Sequence, residues 1–487
     1  MEIYNIDTIK DKISKQQYDT ALDCLRKINI TNVNRDDVNF CFGRAYFYLN
    51  QINNAETYFS KTVKSKDIVI KDYSKFYLVK IFLINKRYTK VFNLLKTIEN
   101  TEIKNMVQTD ICKSILEIVQ KFNRLVDYNS TKNFYNKFNR YFNNMDLSVK
   151  NRFLNEYELA SKKTILNSKP SRLLIKLSNL CNLKCVMCYQ KYETLQTLQF
   201  LNKKIINIIL DNIPYYEEIY WQGGEPLILP YMKTILQKTL KYKHLKQTII
   251  SNFQVVSDEI LELILKNNTD LIISIDSQKK DTYEKIRVGA SFDKLIANIN
   301  RLNYFIKSFK KNFFVTVNFV LMREKYKELV EMIYFLKKYN FKTLSIIKDE
   351  RPTGHETCFS YLEKREINIL LNKAKFVAKD LGIEIILLKL DNNKNDCKKN
   401  IIRKNVREES RLFCHLPWYK LTISYDNTVS ADCFCKSKYN IDVNKVKTID
   451  DIWNLSALVK NRTAILKHDI SLCNHTCKNL DYDYRYK

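Results

Sequence analysis

From residue 172 onward, the chain alternates short apolar segments with amphipathic helical segments. The apolar segments have the length and the β-branched and aromatic content of strands. They are Arg172–Leu177, Glu218–Trp221, Gln247–Ile250, Leu271–Ile275, Phe314–Phe319 and Thr343–Ile347, and the helical segments between them include Asn202–Ile213 and Glu328–Lys338. Strands that alternate with helices form a parallel sheet, open or closed into a barrel. Active sites of such folds lie at the carboxyl ends of the strands, so residues there are the first functional candidates.

Residues 1–165 show a different pattern, with apolar residues at helical spacing and almost no strand signal. An internal repeat is present, because the segment around Ala21 is echoed around Ala55, 34 residues later, and again near Val91. The segment therefore resembles a tetratricopeptide array, in which Gly43 and Ala55 would be the small residues that let paired helices approach. A generic helical bundle with accidental periodicity is the alternative.

The chain from about Arg411 is irregular in spacing and dense in cysteine, which is typical of a small module stabilised by metal. We therefore predict three domains. An all-α tetratricopeptide-like domain with a bridge would occupy residues 1–165, an α/β core residues 166–395 and a cysteine-rich module residues 396–487.

Charge and cysteine content narrow the function classes. The formal net charge is +29, but the lysines are spread along the whole chain without a dense basic block, so we do not expect a nucleic-acid partner. Thirteen cysteines favour metal ligation or catalysis in a reducing compartment over structural disulfides. No run of 18 apolar residues and no secretory signal is present, so we expect a cytoplasmic protein that does not enter the membrane.

Three cysteines, Cys181, Cys185 and Cys188, follow the first predicted strand. Thiolates are the soft ligands that iron–sulfur clusters need, and such clusters usually take four of them. Three thiolates would leave one iron open for another ligand. A zinc site is the alternative, but it would need a fourth ligand that no closely following Cys or His supplies.

This Cys-x3-Cys-x2-Cys spacing resembles the signature of the radical S-adenosylmethionine (SAM) superfamily, and the resemblance extends over residues 171 to about 350. It implies a partial (β/α)6 barrel, a [4Fe–4S] cluster with an open iron site, and SAM as the second cofactor. An electron from the cluster would cleave SAM to a 5′-deoxyadenosyl radical. The family often has an aromatic residue before the third cysteine; here Met187 stands there, and Met187 and Tyr189 are both candidate SAM contacts.

Two polar segments match the superfamily further along the chain. Gly223-Gly224-Glu225-Pro226 resembles the turn whose backbone and carboxylate hold the amino group of SAM. Ser251 and Asn252 end a strand where the family places polar groups near the ribose and methionine moieties.

The next strand and the helix after it supply another match. Ser274 and Asp276 resemble the family's Ser-x-Asp motif, and Arg287 resembles the arginine that pairs with the carboxylate of SAM. A guanidinium is a suitable partner because it can donate two parallel hydrogen bonds to a carboxylate.

The C-terminal segment resembles the auxiliary-cluster module called SPASM, or Twitch in its shorter form. The resemblance implies a second [4Fe–4S] cluster. The expected ligands are Cys414, Cys433, Cys473 and Cys477, with Cys435 as the competing ligand. Trp418, Asp426, Asp451, Trp453 and Arg462 belong to the same ordered pattern. The final pair departs from the common Cys-x2-Cys spacing, and a structural zinc held by the same thiols is the alternative.

Three function classes follow from these features. The first is a radical SAM enzyme that modifies a peptide or protein. The second is a radical SAM dehydrogenase or related enzyme acting on a small alcohol, sugar or amino compound. The third is a tetratricopeptide scaffold without activity, which the complete cysteine motif and the intact Gly223-Gly224-Glu225-Pro226 turn argue against.

Two partners are expected. Stacked helix pairs curve into an extended groove suited to a peptide, so the helical repeats are candidates for recruiting a peptide or protein substrate. The resemblance also implies an electron donor such as a flavodoxin or ferredoxin.

Overall fold

The structure, a computed structural model, describes residues 5–28, 34–85, 87–124, 127–143, 145–188, 190, 197–310, 313–349, 359–387, 412–432, 435–469, 471–473 and 481–482. The chain divides into two compact units, Met1–Met145 and Asp146–Lys487. In the part of the chain that the structure describes, no helix has the length and apolar character needed to cross a membrane.

The first unit is helical, as its sequence pattern predicts. Its helices are α1 (Ile6–Ser14), α2 (Tyr18–Lys27), α3 (Arg35–Tyr48), α4 (Ile52–Thr62), α5 (Ile68–Ile84), α6 (Tyr88–Lys96), α7 (Thr101–Arg124) and α8 (Tyr128–Phe138). Several of these helices begin after a residue whose side chain caps the first turn. Asn5, Asn34 and Asp67 accept hydrogen bonds from the first-turn N–H groups of α1, α3 and α5.

Small residues at the repeat positions allow the paired helices to pack. Ala21 and Ala55 are fully buried. A Cβ atom at Gly43 of α3 would lie 2.7 Å from the ring of Phe59 on α4, which is closer than real Cβ contacts. Tyr46 is half-buried and stacks on the ring of Tyr58. Gly43 and Ala55 therefore have the packing role that the repeat predicts.

A sheet of ten strands forms the centre of the second unit, in the order β11-β10-β9-β1-β2-β3-β4-β5-β6-β7. Its strands are β1 (Arg172–Lys176), β2 (Glu218–Gln222), β3 (Lys246–Ser251), β4 (Thr269–Ser274), β5 (Val315–Leu321), β6 (Thr343–Lys348), β7 (Glu384–Leu387), β9 (Lys420–Ile423), β10 (Thr428–Ser430) and β11 (Tyr439–Asn440). The short strands β8 (Leu412–Phe413) and β12 (Asp481–Tyr482) pair separately.

Strands β1 to β7 are parallel to their neighbours, and the first six are those predicted from the sequence. The helices of this unit are α9 (Leu147–Ala160), α10 (Lys203–Asp211), α11 (Met232–Thr239), α12 (Asp258–Lys266), α13 (Lys280–Ile286), α14 (Phe292–Ser308), α15 (Leu329–Lys338), α16 (Tyr361–Leu381), α17 (Ile449–Trp453) and α18 (Ser456–Leu466). The α/β fold class, with an open parallel sheet typical of a partial barrel, is confirmed.

The C-terminal segment extends this sheet. Strand β9 pairs in parallel with β1, so that Ile423 lies beside Ile175, and β10 and β11 continue as antiparallel strands. The described strands β9 to β11 of the C-terminal segment thus continue the sheet of the core.

Helix α9 also falls in the second unit, although the sequence pattern groups it with the preceding helices. Its polar residues hold the segment that leads into β1. The fully buried Glu158 carboxylate accepts hydrogen bonds from the N–H groups of Asn167 and Ser168 and from the Ser168 hydroxyl. The side-chain amide of Asn151 donates to the Lys169 carbonyl and accepts from the Lys169 N–H. Helical periodicity predicts a helix here but not which unit it packs against.

Candidate active site

The three-cysteine loop leaves the carboxyl end of β1 and lies against residues 286–288. The N–H groups of Lys184 and Val186 donate to the carbonyls of Val288 and Ile286 at 2.8 and 2.9 Å. Arg287 stands between these two acceptors in the chain. Its guanidinium Nη1 is directed at the Cys185 sulfur at 3.8 Å, so one sequence motif is brought against the other.

The Gly223-Gly224 turn, after β2, approaches the same loop closely. A Cβ atom at Gly223 would lie 2.9 Å from the carbonyl oxygen of Ser178, and one at Gly224 would lie 2.0 Å from that of Leu180. Both glycines have positive φ, 95° and 56°. The N–H of Glu225 then donates to the Leu180 carbonyl at 2.8 Å. The turn therefore requires glycine for its conformation and for its contact with the cysteine loop.

Glu225 ties this turn to the end of β3. Its carboxylate accepts hydrogen bonds from the Asn252 N–H at 2.6 Å, the Ser251 hydroxyl at 2.8 Å and the Leu227 N–H at 3.1 Å. Burial raises the pKa of Glu225 to about 7, although these three donors act in the opposite direction. Three predicted site residues, Glu225, Ser251 and Asn252, are thus in mutual contact.

Hydrogen-bond donors surround two of the three thiols. The Leu183 N–H and the Asn252 side-chain amide point at the Cys181 sulfur at 3.4 and 3.8 Å, and Arg287 points at Cys185. Burial raises the pKa of Cys181, and it raises that of Cys185 to about 11, although Arg287 lowers the latter. Both thiols are therefore protonated at neutral pH in the absence of metal, and metal binding would release the protons.

The donor set fits an iron–sulfur cluster in its chemistry. Cys181, Cys185 and Cys188 form no disulfide bonds. N–H groups directed at sulfur are the contacts that tune cluster thiolates. Across the described ranges, no three His, Cys, Asp or Glu side chains meet the geometry for a single metal ion.

Asp276 is the charged centre beside this loop, at the end of β4. Its carboxylate is fully buried, lies 2.6 Å from Arg287 Nη2 and 2.8 Å from Lys325 Nζ, and accepts a hydrogen bond from the Val320 N–H at 2.8 Å. Burial would raise the pKa of Asp276, but Arg287 and Lys325 outweigh burial and hold it below its ordinary value. No sequence motif marks Lys325, which follows β5.

The other predicted SAM contacts are Ser274, Met187 and Tyr189. Ser274 ends β4 and is half-buried beside Asn318 of β5. Met187 is half-buried on the cysteine loop. Tyr189 lies outside the described residues.

The C-terminal cysteines are only partly described. Cys414 is buried after β8, Cys435 and Cys473 are half-buried, and Cys433 and Cys477 lie outside the described residues. The Ser437 hydroxyl donates to the Leu472 carbonyl at 3.0 Å. The chain segments that carry Cys435 and Cys473 are therefore adjacent.

The non-cysteine residues of the C-terminal pattern have structural roles. Arg462 is fully buried, lies over the Trp453 ring, and donates to the carbonyls of Pro417, Thr164 and Trp453 at 2.8 to 3.0 Å. Burial lowers the pKa of Arg462 to about 9. The indole of Trp418 donates to the Lys163 carbonyl. These side chains join the C-terminal segment to the approach to β1.

Asp426 and Asp451 act locally. Asp426 accepts hydrogen bonds from the Thr428 backbone and hydroxyl in the β9–β10 turn. Asp451 forms a reciprocal cap with Thr448 at the start of α17.

Comparison with known proteins gives a family match for part of the chain. Residues 175–336 match the family model of the radical SAM superfamily. A GTP 3′,8-cyclase of Clostridium botulinum (strain Okra) is 26% identical over 179 residues, which are 32% of this chain and 53% of that protein. The chain spans about half the length of the curated relatives it matches.

Solved structures are similar at lower identity. The crystal structure of Streptococcus suis SuiB is 15% identical with a TM-score of 0.49, covering 92% of this chain and 91% of that one. SuiB bound to its precursor peptide SuiA is 17% identical with a TM-score of 0.48, covering 68% and 76%.

Proposed function

We propose that this chain, in which residues 175–336 form a radical SAM domain, is an enzyme that binds a [4Fe–4S] cluster through Cys181, Cys185 and Cys188 and cleaves SAM reductively. One observation carries the proposal. The loop with the three cysteines lies so close to the Gly223-Gly224 turn that a single added methyl group would collide with its backbone. The cysteine loop is thus packed against the turn after β2 and against residues 286–288.

The surrounding residues prepare this loop for a cluster and SAM. When bound, the reduced cluster supplies the electron that splits SAM into methionine and a 5′-deoxyadenosyl radical. Asn252 and Arg287 stabilise negative charge on the sulfurs of Cys181 and Cys185 through N–H contacts. The Nε of Arg287 is buried without a partner in the described part of the chain, which suits it to the carboxylate of SAM.

We assign Glu225 a positioning role in the same site. Because its oxygens already accept three hydrogen bonds, it fixes the turn relative to β3, and the backbone of Gly223 and Gly224 is left to meet the amino group of SAM. Ser274, Met187 and Tyr189 complete the proposed SAM contacts.

Anaerobic reconstitution tests the assignment. The reduced wild-type protein should convert SAM to 5′-deoxyadenosine and methionine. The triple variant Cys181→Ala/Cys185→Ala/Cys188→Ala should lose this reaction while remaining folded, whereas Cys24→Ala, which removes a buried thiol of α2, should retain it. Unchanged cleavage by the triple variant would remove the cluster from these three thiols.

For the substrate, a peptide or protein is favoured by the helical unit. Gly43 and Ala55 lie at contacts between paired helices, and arrays of such helix pairs form curved surfaces suited to binding a peptide. A small-molecule substrate is the second candidate, because the 26% identical relatives are named as acting on GTP. A chain beginning at Asp146 discriminates between them. It should still cleave SAM; retained kinetics on the true substrate would exclude recruitment by the helical unit.

An auxiliary [4Fe–4S] cluster is proposed for the C-terminal thiols, with Cys414, Cys473, Cys477 and either Cys433 or Cys435 as ligands. The contact between the segments bearing Cys435 and Cys473 supports this set. The triple cysteine variant should then retain about four irons per chain. Zinc in place of iron would assign these thiols to the structural alternative.

The reaction also needs a low-potential electron donor, and we propose a flavodoxin or a ferredoxin. A cytoplasmic location would keep the cluster thiols reduced before metal binding.

A further inference from the structure

Asp276 lies between two buried cations. Asp276 contributes one negative charge, while Arg287 and Lys325 contribute two positive charges, and all three side chains are at most 7% exposed. Two further buried carboxylates lie nearby, and Glu225 interacts with Arg287 and Glu328 with Lys325.

Lys325 occupies one side of the Asp276 carboxylate. Its ammonium group donates to Asp276 Oδ1 and to the Asp276 carbonyl, and it lies 3.8 Å from the centroid of the Phe319 ring. Burial lowers the pKa of Lys325 to about 8, although Asp276 raises it. These contacts direct the ammonium group of Lys325 at Asp276 and at the Phe319 ring.

Arg287 occupies the other side of the carboxylate and faces the cysteine loop. One nitrogen, Nη2, pairs with Asp276, a second, Nη1, points at Cys185, and Nε has no partner among the described residues. If Asp276 were neutralised by Arg287 alone, the pair would present no net charge to the loop. Because Lys325 pairs with the same carboxylate, Asp276 offsets less of the positive charge of Arg287.

We infer that Lys325 is a positioning residue of the SAM and cluster site, which neutralises Asp276 so that the guanidinium of Arg287 keeps a full positive charge toward Cys185 and the SAM carboxylate. The inference rests on the proposed function. Lys325 would affect the cluster and SAM only through Asp276 and Arg287.

A charge-balanced set of variants tests this role. Lys325→Met keeps the approximate length of the side chain but removes one of the two cations that pair with Asp276. Asp276→Asn/Lys325→Met restores one positive charge on Arg287. The exposed Lys327, two residues away, provides the control Lys327→Met. For each reconstituted protein, SAM affinity is measured by calorimetry and the midpoint potential of the cluster by redox titration monitored by electron paramagnetic resonance.

We expect Lys325→Met to weaken SAM binding on the order of tenfold, as loss of one charge-assisted contact implies. Its midpoint potential should become more negative, because less positive charge near the cluster disfavours the added electron. The double variant should recover both properties toward the wild-type values, and Lys327→Met should match wild type. A purely structural lysine would not shift the potential and would not be rescued by the second substitution.

Wild-type affinity and potential in Lys325→Met, or a double variant no better than the single one, would overturn the inference. If Lys325→Met takes up no iron, the iron content of the double variant is compared with that of the wild type. A double variant that also takes up no iron counts against the charge argument. Wild-type protein that binds no cluster at Cys181, Cys185 and Cys188 would instead contradict the proposed function itself.

Discussion

Replacing Gly224 by Ala tests the contact on which the site geometry depends. The new Cβ would lie 2.0 Å from the Leu180 carbonyl oxygen and 2.7 Å from its carbon, whereas real Cβ atoms essentially never come closer than 3.0 Å. The obstacle is backbone, so no side-chain rotation can relieve it. The segment that carries Cys181 must therefore move by about 1 Å, or the turn must open.

Two costs add at this position. The left-handed backbone at Gly224 costs a residue with a side chain about 1 to 2 kcal/mol. Overpacking against a fixed neighbour costs about 1 to 3 kcal/mol more. We therefore expect Gly224→Ala to lower the free energy of unfolding of the metal-free protein by about 2 to 5 kcal/mol and to reduce iron uptake.

Gly382 provides a matched control. It ends α16 with a φ of 67°, and an added Cβ would meet no atom within 4 Å. Gly382→Ala should incur only the backbone cost of about 1 to 2 kcal/mol and should leave iron uptake unchanged. Urea unfolding and iron analysis of both variants separate the two costs. Equal losses in the two variants, or full iron uptake by Gly224→Ala, would refute the reasoning.

Three further predictions concern other contacts. The pKa of Glu225 is raised from 4.5 to about 7, so its contribution to stability is complete below pH 4.5 and is lost as the pH rises through 7. Glu225→Gln should remove up to about 3 kcal/mol of this pH dependence, measured by urea unfolding. Identical pH profiles of the variant and the wild type would contradict the assignment. Arg462→Met should lower the free energy of unfolding by about 3 to 5 kcal/mol because three buried carbonyls lose their donor, whereas the exposed Lys460→Met should have little effect. Gly43→Ala should lower the melting temperature because the new Cβ forces the Phe59 ring to move. In a Phe59→Leu background, the same substitution should lower the melting temperature by less. Equal losses in the two backgrounds would contradict the contact between Gly43 and the Phe59 ring.

Local sequence patterns predicted the parts of this protein that depend on neighbouring residues. Strand and helix alternation gave β1 to β6, because each element follows from a short stretch of side chains. The cysteine loop and the Gly223-Gly224 turn were identified for the same reason. The sequence placed both at strand ends, and the structure adds that the backbone of one excludes any side chain on the other.

Contacts between distant segments could not be predicted in this way. Nothing in the local pattern around Lys420 indicates that β9 pairs with β1, since that register depends on the packing of the whole unit. The role of Lys325 was also missed, because a single lysine after a strand has no distinguishing neighbours. Arg462 was noted as part of a pattern, but only its three carbonyl partners identify its structural role.

The position of β9 beside β1 also has a consequence for biosynthesis. Strand β1, which carries the cysteine loop at its end, is paired with β2 on one side and with β9 on the other, and Arg172 lies opposite Lys420. A ribosome adds about 5 to 20 residues per second, so β1 waits on the order of 10 to 50 seconds for this second neighbour to be synthesised. Until then it is an unpaired sheet edge, open to association with other nascent chains. Iron delivered to the cysteine loop during that interval would meet a strand whose surroundings are incomplete, so productive metallation is expected after release of the finished polypeptide.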